Sequence, residues 1–178
     1  MTFPVFASGD VLNASDMNGV GLWLVKSQAV GSGVASVNVT SAFSADYDNY
    51  KIVYTGGTQS SGGIITLKLG ASGTGYYNTL VYGNTWATPT ATGASTNNGA
   101  VWNFAGFGDT NTVYLNCELM QPFAAKYTGL TYSYISSSNA GVGSGYHGVA
   151  TSYSDFTITA AGGLTLTGGT IRVYGYRN

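Results

Sequence analysis

Apolar and polar residues alternate with period two along most of this chain, in short runs that stop at glycine. Such runs send alternate side chains to opposite faces of a strand, so each predicts a half-buried β-strand. Val37 and Val39 alternate with polar neighbours, as do Ile65, Leu67 and Leu69, then Leu130, Tyr132 and Tyr134, then Phe156 and Ile158. Residues 22–25, 51–55 and the aromatic stretch 76–82 add three more strands, and residues 101–107 and 112–120 flank a turn at Gly108-Asp109. Near the end, Gly168-Gly169 stands at two-residue hairpin spacing, which predicts an antiparallel meander over residues 156–176. In its last strand Ile171 and Val173 face one way, and Arg172, Tyr174 and Tyr176 the other. About ten short strands with frequent turns predict an all-β chain, an antiparallel β-sandwich of jelly-roll type, and no segment supports a long amphipathic helix. Two stretches break the alternation: residues 84–100 and 136–145 are small and polar, and predict long surface loops.

Composition narrows the class of protein. Charged residues make up 7% of the 178 residues against a usual ~25%. Ser, Thr, Asn and Tyr take over hydration of the outer strand faces, as expected of a surface or assembly protein. A net charge of −1 with scattered cations offers no field for nucleic acid. It also supplies little colloidal repulsion, so exposed faces should associate with sister chains, and a homo-oligomer, most simply a trimer, is expected. No apolar stretch approaches the ~20 residues of a helical membrane span, so no membrane insertion is expected. The single cysteine, Cys117, shares a strand face with Val113, Leu115 and Leu119, which makes it a small core residue and leaves it no disulfide partner.

Residues 1–20 lack strand alternation and predict an irregular arm ahead of a sandwich over residues 21–178, with one helical turn capped by Asn13 or Ser15 and ended by Gly19. Within this arm Phe6, Gly9, Asp10, Leu12, Ala14, Asp16 and Asn18 follow the pattern Phe-x-x-Gly-Asp-x-Leu-x-Ala-x-Asp-x-Asn. That pattern resembles the opening of bacteriophage tail-fibre and minor tail proteins, and residues 22–26, 43–51 and 171–176 are similar to tail-appendage domains. The resemblance implies a virion structural protein, often trimeric. Its arm would join other virion proteins, with Phe6, Asp10, Leu12, Asp16 and Asn18 as the attachment residues, and its β-sandwich would project outward to the host surface. A capsid decoration or cement protein that stabilises the head uses the same layout and stays open beside the tail appendage.

Candidate chemistry is sparse. Asp46-x-Asp48-Asn49 lacks the glycine and distal carboxylate of a calcium loop and predicts an Asx turn, so no metal is expected. The glycine-rich turns lack the lysine and helix of a phosphate loop, so no nucleotide cofactor is expected. His147 is the single histidine and adjoins no nucleophile motif; with seven acidic residues, a glycan depolymerase with paired carboxylates has little material, and no enzyme is expected. What remains is aromatic. Trp86, Tyr82 and Tyr146, with His147, are the candidate contacts for a host-surface glycan, since rings backed by amides and hydroxyls can stack on sugars, although core or interface packing is the commoner use of Tyr and Trp.

Overall fold

A computed structural model describes residues 8–9, 21–83, 85–86 and 90–176. Apart from residues 8–9, the arm with its candidate residues Phe6, Asp10, Leu12, Asp16 and Asn18 lies outside the described residues, and so does the helical turn expected there. Among the described residues the strands are β1 (Leu22–Ala29), β2 (Ser36–Val39), β3 (Asn49–Thr55), β4 (Thr58–Gln59), β5 (Gly63–Leu69), β6 (Tyr76–Gly83), β7 (Ala91–Gly99), β8 (Trp102–Gly108), β9 (Val113–Met120), β10 (Thr128–Ile135), β11 (Ala140–His147), β12 (Phe156–Ala160), β13 (Leu166–Thr167) and β14 (Thr170–Tyr176), and every expected strand is among them. No helix occurs among the described residues.

All pairings are antiparallel, and the fold is an all-β sandwich. One layer runs β1-β14-β3-β9-β10-β11-β6-β7 and the other β2-β12-β5-β8. Strand β9 joins them, because its residues 113–115 pair with β8 and its residues 115–120 with β3. The inward residues of both layers form one core. Tyr50, Ile52, Leu119, Leu130, Ile171 and Val173 come from the first layer, and Ile65, Leu67, Leu69, Trp102, Phe156 and Ile158 from the second, all without solvent exposure. Cys117 is buried among them, and burial pushes its thiol pKa up to about 12.

Two expected loops are in fact strands. The segment 84–100 contains β7, which pairs with β6 from Gly83↔Ala91 to Tyr76↔Gly99. The segment 136–145 contains most of β11, paired on both edges with β10 and β6. Neither shows hydrophobic alternation, because the inward positions of β11 are Gly141, Gly143 and Gly145, and the cover comes from the neighbouring strand. Tyr132 pairs with Gly143 and Tyr134 with Gly141, and each tyrosine lies over the glycine opposite. A Cβ on Gly143 would stand 2.3 Å from Tyr132 Cζ and Oη.

The expected meander over 156–176 is absent. β12 pairs with β2 and β5, β13 with β4, and β14 with β1 and β3. Gly168 (φ 69°) and Gly169 (φ 79°) do turn the chain, but the strands they join go to different partners. Tyr54 Oη donates to Gly168 O at 2.8 Å, and a Cβ on Gly169 would stand 2.5 Å from Gly57 N, so this turn is pressed against β3 and the turn that follows it rather than free to close a hairpin.

Candidate contact surface

Strand register sorts the aromatic candidates into two ends and two faces. One cross-strand row links Leu22, Tyr176, Asn49, Met120, Gly129, Tyr146 and Tyr77. Tyr146 therefore lies at the end of the sheet where the sandwich begins. Trp86 follows the opposite end of β6, where its indole Nε1 donates to Ser136 O at 3.3 Å while 59% of the residue stays exposed. Alternation along β6 points Tyr76, Asn78, Leu80 and Tyr82 inward and Tyr77, Thr79 and Val81 outward. Tyr82 is half-buried and stacks on Phe104, with ring centroids 5.8 Å apart, so it serves the layer contact rather than an outer surface.

His147 is fully buried, which removes it from any surface contact. Its ring sits among Tyr76, Trp102 and Tyr153, with centroids 4.3, 6.2 and 5.4 Å away. Nε2 lies 2.9 Å from Ser72 Oγ and 3.0 Å from Thr74 O. A carbonyl can only accept, so Nε2 carries the proton and is not a base for the Ser72 hydroxyl, which itself donates to Thr74 O. Burial lowers the pKa of His147, against the hydrogen bond to Thr74 O that raises it. The imidazole is a neutral pin holding the 70–75 turn to β11.

Tyr146 faces outward and stacks on Tyr77, its partner in register, at 4.7 Å with planes 8° apart. Tyr127, from the loop before β10, adds a third ring at 6.0 Å from Tyr146. Beside this stack runs an open groove of about 460 Å³, bounded by Met120 and floored by Thr79, Thr131 and Ser144. At the other end of the same strands a second groove of about 560 Å³ is walled by Val81, Ile135 and Val142. These three side chains are 55–62% exposed. The first groove offers stacking and hydroxyl hydrogen bonds, and the second offers apolar contact. Tyr77 was visible as part of the aromatic cluster in the sequence. Tyr127 and Val142 were not, since they stand in segments without strand alternation.

Charge is distributed unevenly over the first layer. Lys26, Lys51, Glu118 and Arg172 all belong to β1, β3, β9 and β14, where Lys51 Nζ lies 3.8 Å from Glu118 and Tyr176 Oη donates to the same carboxylate. Strands β6, β7, β10 and β11 carry no Asp, Glu, Lys or Arg at all. Near their far end Asp109 clamps two turns. Its carboxylate accepts from Asn111 N, Thr112 N, Ser137 N and Ser137 Oγ. These bonds, the Ser137 hydroxyl first, bring its pKa down to about 2 against the opposing effect of burial. Among the described residues no group of three or more His, Cys, Asp or Glu side chains could hold a metal. No protein-family model, curated protein or solved structure matches the chain.

Proposed function

We propose that this chain is a bacteriophage virion structural protein, a tail fibre or tail appendage. In this reading residues 1–20 join it to other virion proteins, and the sandwich, working as a homotrimer, contacts the host surface. The observation that carries the reading is the position of Trp86. The sandwich starts at Leu22 on one end row of the first layer, next to the arm motif, whereas Trp86 stands exposed at the opposite end of β6. A protein held by its arm would present that far end, where Ser136–Asn139 and the β8–β9 turn are locked together by Asp109. An exposed indole beside turns fixed in this way suits repeated contact with a host-surface glycan, because aromatic anchors on a rigid support lose little conformational freedom on binding.

Trp86→Ala tests this directly. The indole is largely exposed, so the variant should keep its fold and its melting temperature within about 2 °C, since exposed substitutions cost little. Phage carrying it should adsorb to host cells several-fold more slowly. Unchanged adsorption, together with capsids that lose thermal stability when the protein is missing, would replace the appendage with the capsid decoration protein.

A further inference from the structure

The geometry points to the charge-free half of the first layer, the outer face of β10, β11, β6 and β7 with the free edge of β7, as the surface through which copies of this chain meet. The inference rests on the homotrimeric reading above and locates its interface. Three observations select this face. First, the outward side chains Val81, Val142 and Ile135 are more than half exposed and adjacent across three strands. Exposed apolar groups packed side by side mark contact surfaces, whereas scattered ones do not.

Second, β7 is an edge left unguarded over residues 91–96. Among the described residues no strand pairs with its outer side. Its residues 91–96 pair with β6 without a break, its one register shift falls between Thr96 and Gly99 at the strand's end, and the whole strand has neither charge nor proline. The other layer edges are guarded: β2 has four residues, β8 is partly covered by its pairing with β9, and β1 carries Lys26 and a register break between Leu24 and Lys26. A long edge of unpaired amides and carbonyls calls for another strand.

Third, the partner must itself lack charge, because a facing Lys or Glu would be desolvated against Val, Thr and Ser with nothing to pair it. This chain has such a face. At ~4.8 Å between strands and ~3.3 Å per residue, four strands of eight residues cover roughly 500 Å². Around a threefold axis each copy turns this face to both neighbours, and the three faces together bury roughly 1,500 Å², within the range of a specific interface.

The experiment is the mass of the full chain by light scattering from 1 to 100 µM, with wild type, Val81→Lys/Val142→Lys and Leu24→Lys compared. Leu24 is equally exposed but lies on β1, in the charged half. Wild type and Leu24→Lys should run at a multiple of 18.4 kDa, and the double variant should fall to that mass with its β circular dichroism retained. Hydrogen exchange on wild type gives a second readout that needs no variant: those amides of residues 91–96 that point away from β6 should be protected at high concentration and lose at least tenfold of that protection on dilution. A wild-type monomer at every concentration would overturn both the trimer and this interface. An oligomer that survives the double variant, or that Leu24→Lys dissociates, would overturn the interface and leave the trimer standing. Protection of 91–96 that is independent of concentration and disappears when residues 1–20 are deleted would assign the edge to the chain's own arm, and would also overturn the proposal.

Discussion

Replacing Gly143 by alanine should be among the most damaging single-methyl changes in this protein. In a strand interior such a change ordinarily stabilises by about 0.4–1 kcal/mol, because glycine loses more backbone freedom on folding. Here the new Cβ would lie 2.3 Å from Tyr132 Cζ and Oη and 2.8 Å from Thr79 O, against the ~3.5 Å of ordinary contact. Tyr132 cannot simply swing away, because it is 5% exposed and its hydroxyl accepts from Asn78 Nδ2 at 3.1 Å. Asn78 is itself buried, with its other amide hydrogen bond going to Asn103 O. Moving the ring by about 1 Å therefore costs overpacking strain of roughly 1–3 kcal/mol and weakens a buried hydrogen bond worth about 1 kcal/mol. The sum, roughly 2–4 kcal/mol, corresponds to a melting temperature lower by about 4–16 °C for a chain of this size.

Thermal unfolding followed by circular dichroism checks this, with Gly83→Ala as the control. A Cβ on Gly83 meets nothing within 4 Å, so that variant should melt within about 2 °C of wild type. Pairing Gly143→Ala with Tyr132→Leu should cost less than the two single changes added together, because the shortened side chain vacates the space the methyl needs. A Gly143→Ala protein that melts with wild type, or additive losses in the double variant, would refute the idea that the tyrosines fill the glycine positions.

Acid should weaken the fold in two stages. His147 has a lowered pKa in the folded state, so its contribution is complete above the ordinary value of 6.5 and declines as pH falls below it; Asp109, held at about 2, contributes fully above 3.8 and is lost as pH drops toward 2. Urea midpoints from pH 8 to 2 should show both stages, and Asp109→Asn should remove the second; a flat profile down to pH 4 would contradict the buried, neutral imidazole. Truncation after Thr170 removes Ile171 and Val173, both fully buried, at roughly 1.5–3 kcal/mol each, and it unpairs β1 and β3 together because β14 lies between them. The shortened chain should aggregate, and soluble material with a cooperative melt would show that β14 is dispensable.

The strands legible in the sequence are those whose inward residues are large. Ile52, Leu67, Leu115, Leu130 and Ile158 each sit in a run where hydrophobic alternation and burial coincide. β7 and β11 were illegible for one shared reason: their inward positions are small. In β11 three glycines alternate so that tyrosines from β10 can lie over them, and in β7 the inward Thr92, Ala94 and Thr96 are only half-buried. Pattern reading weighs each strand by its own side chains, whereas these two are held by main-chain pairing and by rings borrowed from neighbours. The paired glycines at 168–169 misled in the opposite direction. They supply the positive φ values a hairpin turn needs, but nothing local records that β13 has β4 as its partner.

The same separation of local from distant signals governs the aromatic candidates. Tyr76, Tyr77 and Tyr82 look alike in sequence, and alternation alone separates Tyr77 from the other two; where the inward rings go depends on the opposite layer. Tyr82 meets Phe104, which holds φ at 61°, a conformation that costs a bulky residue about 1–3 kcal/mol. The cause lies in the pairing of β5 with β8, where Ile65 to Leu67 spans Gly106 to Trp102 and leaves extra residues on β8 to bulge out of register. That bulge brings the Phe104 ring against β6, so a strained backbone in one layer supplies packing for the edge of the other. It keeps Tyr82 inside and leaves Val81, its neighbour, as the side chain that β6 presents outward. Alternation divides the two faces of β6, but which face is covered depends on the opposite layer, where Phe104 stands some twenty positions later in the chain, and so inspection of residues 76–83 alone selects the tyrosine and passes over the valine.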